Sequence, residues 1–273
     1  VDIGIIDYFA NSGKSFFHRA SSIYKIIFVL FVLASIVITN DFILLLSVYF
    51  VLIALVILTG LPFLRIVSIA AYPAIFALLF ALASWSGNWT RSGVIVFKAL
   101  DAALTMVLLI VTTPYPSVFA SINPFLPKIV VEGLFLTYRA IFILLELMEN
   151  LIRALRIRGG FSPRAYIKNI ANFASGIGLL LIRGFDLSER LYGVMRVRGY
   201  SGKIAEDERK ELSQKDFIPI GIGVLIFAFS LGARFSNDSS KYGVYTLIFS
   251  LLLVFVSASY VHFYATRGAI WKS

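Results

Sequence analysis

Two short runs carry the residues best suited to binding chemistry. They are Arg156-Ile157-Arg158-Gly159 and Arg196-Val197-Arg198-Gly199, forty positions apart. A guanidinium forks onto a carboxylate through two parallel hydrogen bonds, which makes arginine a specific reader of acidic partners. Arginine also suits the negative end of a helix, and glycine takes the left-handed conformation that ends one. The likeness extends upstream. A forty-residue shift lays Glu146 on Asp186, Leu147 on Leu187, Glu149 on Glu189, Leu151 on Leu191 and Leu155 on Met195. Either copy alone reads as well as an ordinary helix end with solvated arginines. The pair points to two equivalent docking tips, at 156–159 and 196–199, each backed by acidic positions (Glu146 and Glu149, Asp186 and Glu189).

Other chemistry finds little support. The chain has no cysteine and two histidines, His18 and His262, near opposite ends, so it cannot build a thiolate or histidine-rich metal site alone. Asn11 to Ser15, "NSGKS", ends like a phosphate loop, but Tyr8 stands where that motif needs its first glycine. His18 reads as an interfacial histidine. The contiguous acidic cluster Glu206-Asp207-Glu208 lacks the spacing of a catalytic dyad, and it belongs to a charged connector, Glu206 to Lys215. Lys98 and Asp101 lie inside an apolar run. Three positions apart on a helix, they either pair with each other or mark a transport path.

The elements that position the tips follow from composition. The 273 residues are 59% hydrophobic and 15% charged, against about half and a quarter in soluble domains. Six apolar runs have about the length of a crossing: Ile23–Thr39, Phe42–Leu58, Ile66–Ser84, Val94–Val111, Phe217–Ala233 and Val244–Tyr264. Trp85, Trp89 and Trp271 fall near their ends, and Pro62, Pro73, Pro114 and Pro116 mark turns or kinks. Between the fourth and fifth runs, Lys128 to Arg158 carries Glu132, Arg139, Glu146 and Arg153 seven apart, a charged stripe on an otherwise apolar helix. Ala165 to Arg198 has a weaker stripe. Its apolar patch, Gly176 to Ile182, looks too short to cross, and Gly176, Gly178 and Gly184 argue against one straight helix.

The net charge of +10 orients the chain. With both termini cytoplasmic and residues 128–215 never crossing, 21 of the 25 Lys and Arg face the cytoplasm. Arg91, Arg234 and Lys241 lie outside, and Lys98 snorkels from a span toward its outer end. If Lys128 to Leu147 crossed, the 13 basic residues of 151–216 would all lie outside, against the positive-inside rule. The expectation is an all-α integral membrane protein with about six crossings and a cytoplasmic helical domain bearing two long helices. Its parts are an N-terminal segment (1–22), a four-helix membrane part (23–111), the cytoplasmic domain (112–216) and a C-terminal pair of spans (217–273). The basic excess reads as cytoplasmic loops at a lipid bilayer, with no nucleic-acid partner.

In this setting the chain resembles the transmembrane component of energy-coupling factor (ECF) importers, the EcfT/CbiQ family. The resemblance rests on Ile157-Arg158-Gly159 and Val197-Arg198-Gly199. It also rests on Tyr138–Gly160 and Leu180–Tyr200, on Ser15–Ile27 ("SFFHRASSIYKII") and on Thr112–Ile122 ("TTPYPSVFASI"). Where the family usually has Asp-Pro, this chain has Ser21-Ser22. The resemblance implies a non-catalytic subunit with no cofactor of its own. Two ABC-type ATPase subunits would hydrolyse ATP in the cytoplasm and receive the two tips, with Arg158 and Arg198 pairing to acidic residues there. The motion would pass to a separate membrane substrate-binding (S) subunit in the cell membrane. The cargo would be cobalt or nickel ion, or a vitamin if the module is shared. A self-contained secondary transporter would instead carry buried polar residues in several spans and inverted repeats. A lipid-directed enzyme would need clustered His, Asp or Glu at an interface, and a peripheral scaffold would bind anionic lipid through its basic domain.

Overall fold

The computed structural model describes residues 9–11, 13, 15–85, 87–160, 166–200, 216–235 and 239–270. The connector 206–215, Trp271 and positions 12 and 14 of the Asn11–Ser15 stretch lie outside the described residues, as do the side chains of Lys241 and His262. Every regular element among the described residues is a helix. They are α1 (Phe16–Arg19), α2 (Ser22–Ile38), α3 (Phe42–Leu58), α4 (Phe63–Ala83), α5 (Trp89–Thr112), α6 (Tyr115–Ile122), α7 (Lys128–Ile157), α8 (Tyr166–Val197), α9 (Phe217–Phe235) and α10 (Ser239–Ile270). The chain divides into two compact units, residues 1–118 with 210–273, and residues 119–209.

The six apolar runs all fold as helices, and punctuation residues set their ends. Gly60 (φ 68°) closes α3 and Pro62 precedes α4. Gly87 (φ 82°) turns α4 into α5. Pro114 precedes α6 and Pro127 precedes α7, while Pro73 lies within α4. By length and composition α4, α5, α9 and residues 243–261 of α10 are long and apolar enough to cross a membrane. The shorter α2 and α3 are 17 residues each, about 25 Å of helix, close to the minimum for a span.

In the first unit α5 is the hub. It packs on α4, α3 and α2, while α10 lies along α3 and α9 along α2. Leu104, Leu108 and Val111 of α5 join Phe28, Val32, Leu45, Leu52 and Val56 in the buried core. The α2–α9 seam fixes a direction. Tyr24 meets Phe217, Phe28 meets Gly223, Phe31 meets Phe227, Ser35 bonds Ser230, and Arg234 donates to Ile38 O (3.1 Å). Residue numbers rise together along both helices, so α2 and α9 run parallel.

Polar groups in this unit tie helix ends. At one end the Lys98 ammonium donates to Val37 O (3.2 Å) and Asn40 Oδ1 (3.1 Å), beside Arg234 on Ile38 O. The two cations satisfy carbonyls that the end of α2 leaves open. At the other end Lys25, 1% exposed, donates to Thr112 O (2.9 Å) and His18 O (3.3 Å). There Asp216 accepts the Ser21 N–H (2.9 Å). Lys98 thus reaches the α2–α3 turn and does not pair with Asp101. Asp101 is fully buried, and neither carboxyl oxygen has a hydrogen-bond partner. The i,i+3 pairing read from the sequence fails because the open carbonyls at the end of α2 draw the ammonium away.

Candidate partner-docking site

The second unit is built on α7 and α8. Leu144 Cδ2 lies 3.7 Å from where a Cβ on Gly184 would stand, and Leu151 Cδ2 lies 2.8 Å from a Cβ on Gly176. Asn172 donates to Gly160 O (3.0 Å), and Tyr200 donates its phenol proton to Glu132 Oε2 (2.5 Å). As numbers rise on α7 they fall on α8, so the two helices run antiparallel. Each therefore ends beside the beginning of the other. A helix of 30 residues is about 45 Å long, which puts the two C-terminal tips at opposite ends of the pair.

The three glycines that argue against one straight helix do not interrupt α8. The helix is continuous from Tyr166 to Val197, and Gly176 is buried against Leu151, where a larger side chain would hold the helices apart. The apolar stretch of α8 is also longer than Gly176–Ile182. Ile170, Ala171, Phe173 and Ala174 continue it upstream, and by length and composition alone the helix qualifies as a candidate span.

Both tips have the same backbone. At the first, Arg158 N donates to Ala154 O (3.1 Å), Gly159 N to Arg156 O (3.2 Å) and Gly160 N to Leu155 O (2.8 Å). At the second, Arg198 N donates to Val194 O (3.1 Å), Gly199 N to Arg196 O (3.0 Å) and Tyr200 N to Met195 O (2.9 Å). The last two bonds of each set form the Schellman motif, whose hinge residue is left-handed. Gly159 and Gly199 supply it at φ 65° and 79°.

With Leu155 O and Arg156 O at one tip, and Met195 O and Arg196 O at the other, satisfied by backbone, the side chains stay free to face a partner. Arg156, Arg158, Arg196 and Arg198 are exposed, and Ile157 and Val197 are 81% and 90% exposed. Glu149, Ile152, Arg153, Arg156 and Ile157 line a shallow groove of ≈ 270 Å³ at the first tip. At the second tip the Arg196 guanidinium rests 6.0 Å from the Tyr192 ring centroid. Glu146, Asp186 and Glu189 are exposed along the arms, outside that groove. Each tip thus offers two cations around an aliphatic side chain, a surface for an acidic, partly apolar recess.

Sequence reasoning missed Glu132, Asn172 and Tyr200 as partners of the tips. The signal was present: Glu132 and Asn172 are forty apart, like Gly160 and Tyr200. Among the described residues no cluster of His, Cys, Asp and Glu could hold a metal ion.

An all-α chain with several span-length apolar helices is a multi-pass membrane protein. Residues 13–211 match the model of the CbiQ cobalt transport protein family, and the chain belongs to that family. It is also 28% identical over 123 residues to an uncharacterized protein of Methanocaldococcus jannaschii. That match covers 45% of this chain and 42% of the relative.

Proposed function

We propose that this chain is the transmembrane coupling component of an ECF-type importer for cobalt or nickel ion. The tips at 156–159 and 196–199 dock in two cytoplasmic ATPase subunits, which hydrolyse the ATP. Arg158 and Arg198 pair with carboxylates there, and α7 and α8 carry the motion to a membrane subunit that holds the cargo. The observation carrying this reading is the pair of matching arginine-bearing tips at opposite ends of one antiparallel helix pair. A partner with two-fold symmetry presents its two recesses in that relation.

Topology supports the same reading. If residues 128–215 crossed once, α9 would run against α2, whereas the two run parallel. The parallel course leaves an even number of crossings, and of these zero keeps the basic residues of 128–215 on the side the positive-inside rule requires. Cobalt or nickel is preferred to a vitamin on the family match.

Co-expression with an ABC-type ATPase pair tests the proposal. The wild-type chain retains both ATPases through purification. Arg158→Ala with Arg198→Ala loses them, because a buried carboxylate left without its partner costs about 3–5 kcal/mol. Retention of both ATPases by the double variant, with metal uptake unchanged, would overturn the docking role.

A further inference from the structure

The bonds that join each tip to the opposite helix obey the internal repeat. Tyr200, just past the second tip, bonds Glu132 in the second turn of α7. Gly160, just past the first tip, bonds Asn172 in the second turn of α8. Adding forty turns 132 into 172 and 160 into 200, so the two bonds are images of one another. The residues that meet at the centre, Leu144 and Gly184, are themselves forty apart, as they must be where an internal two-fold axis passes. α7 and α8 are therefore a pseudo-symmetric pair, cross-fastened tip to root at both ends.

The two fastenings differ in chemistry. A phenol donating to a carboxylate at 2.5 Å is short and charge-assisted, and such bonds are about twice as strong as neutral ones. An amide donating to a backbone carbonyl at 3.0 Å is an ordinary neutral bond. The Glu132 bond also holds the Tyr200 phenol above its usual range.

We propose that Tyr200 and Glu132 are positioning residues: a strong latch that fastens the second tip to the root of α7, while the weaker Asn172–Gly160 latch leaves the first tip freer. The two docking sites are then mechanically unequal, and a push on the second tip is delivered directly to the start of the opposite arm. The transport consequence rests on the function proposed above; the mechanical asymmetry does not.

The chain has no native cysteine, so spin labels on Cys substituted at Ala154 and Val194 report the spacing of the tips without background. Expected results are as follows. Glu132→Ala and Tyr200→Phe each broaden the 154–194 distance distribution, and Asn172→Ala broadens it less. The Glu132→Ala/Tyr200→Phe double variant is no broader than either single, as a shared interaction requires. Glu132→Gln, which keeps an acceptor oxygen, restores most of the narrow distribution. In the assembled transporter both single variants keep their ATPases, while ATP consumed per cargo ion imported rises about tenfold, the order of factor one hydrogen bond controls.

Unchanged distances in both single variants, or effects that add in the double, would overturn the latch. Changed distances with an unchanged ATP-to-cargo ratio would overturn its role in transport. A wild-type chain that retains no ATPase would sink the docking function and leave the distance result standing.

Discussion

Leu151 of α7 lies against the bare backbone of Gly176 in α8, with its Cδ2 2.8 Å from the place a Cβ would occupy. Gly176 is also the one buried position of α8. Close approach of the arms depends on this missing side chain.

Gly176→Ala meets the mobile end of a leucine, so a small rotamer change absorbs it. Gly176→Leu does not fit and costs about 1–3 kcal/mol of overpacking. Thermal melting in detergent should show a small loss for the first variant and a clear one for the second. Leu151→Ala should partly restore the Gly176→Leu variant.

The glycines at the tips act by backbone alone. A Cβ at Gly159 or Gly199 would meet nothing within 4 Å, yet both have positive φ. Alanine at either place therefore costs only the left-handed penalty, about 1–2 kcal/mol. Gly159→Ala with Gly199→Ala should fray the tips and, on the docking role proposed above, weaken ATPase retention while melting of the membrane part stays unchanged.

Lys25 and Lys98 both donate to carbonyls near helix ends, but only Lys25 is buried. Lys25→Met leaves Thr112 O and His18 O without this donor in a dry site, costing about 1–3 kcal/mol for each buried group left unpaired. Water or headgroups replace the ammonium in Lys98→Met. The first variant should melt several degrees lower in detergent, and the second close to wild type.

Asp101 should show the reverse. A buried polar group without a hydrogen bond costs about 1–3 kcal/mol by mutational data, and both of its oxygens are in that state. Asp101→Leu should therefore raise the melting temperature. A lowered one would show that the folded chain itself satisfies the carboxyl.

Acid should act through His18, which precedes α2 and packs on Gly13. Burial first, then the Lys25 ammonium, hold its imidazole below the usual range of 6.5. On acidification the unfolded chain takes up this proton before the folded one. The neutral ring's contribution is complete above about pH 6.5 and is lost as pH falls toward the folded value. Wild type should lose melting temperature across that window, and His18→Gln should flatten the loss.

Much of this was legible in the sequence because the signals were local. Each tip is a helix end written in adjacent residues, arginine then glycine, and the spans are contiguous apolar runs. What stayed hidden depended on neighbours far along the chain. Lys25 finds Thr112, Ser35 finds Ser230 and Arg234 finds Ile38, each pair brought together only by helix packing. The reading of Lys98 with Asp101 failed because spacing on one helix says nothing of the carbonyls another helix offers. The glycines of α8 misled for a related reason. Propensity prices glycine for an isolated helix, whereas Gly176 is set by a leucine on the facing one.

The antiparallel course of α7 and α8 makes their length a gauge. A heptad inserted upstream of either tip would carry its arginines about 10.5 Å outward. Under the docking role proposed above, ATPase subunits whose recesses keep a fixed separation would no longer seat both at once. On that role, a lineage that stretches one arm has to re-space its motors or trim elsewhere, and arm length and motor geometry pass on as a matched set.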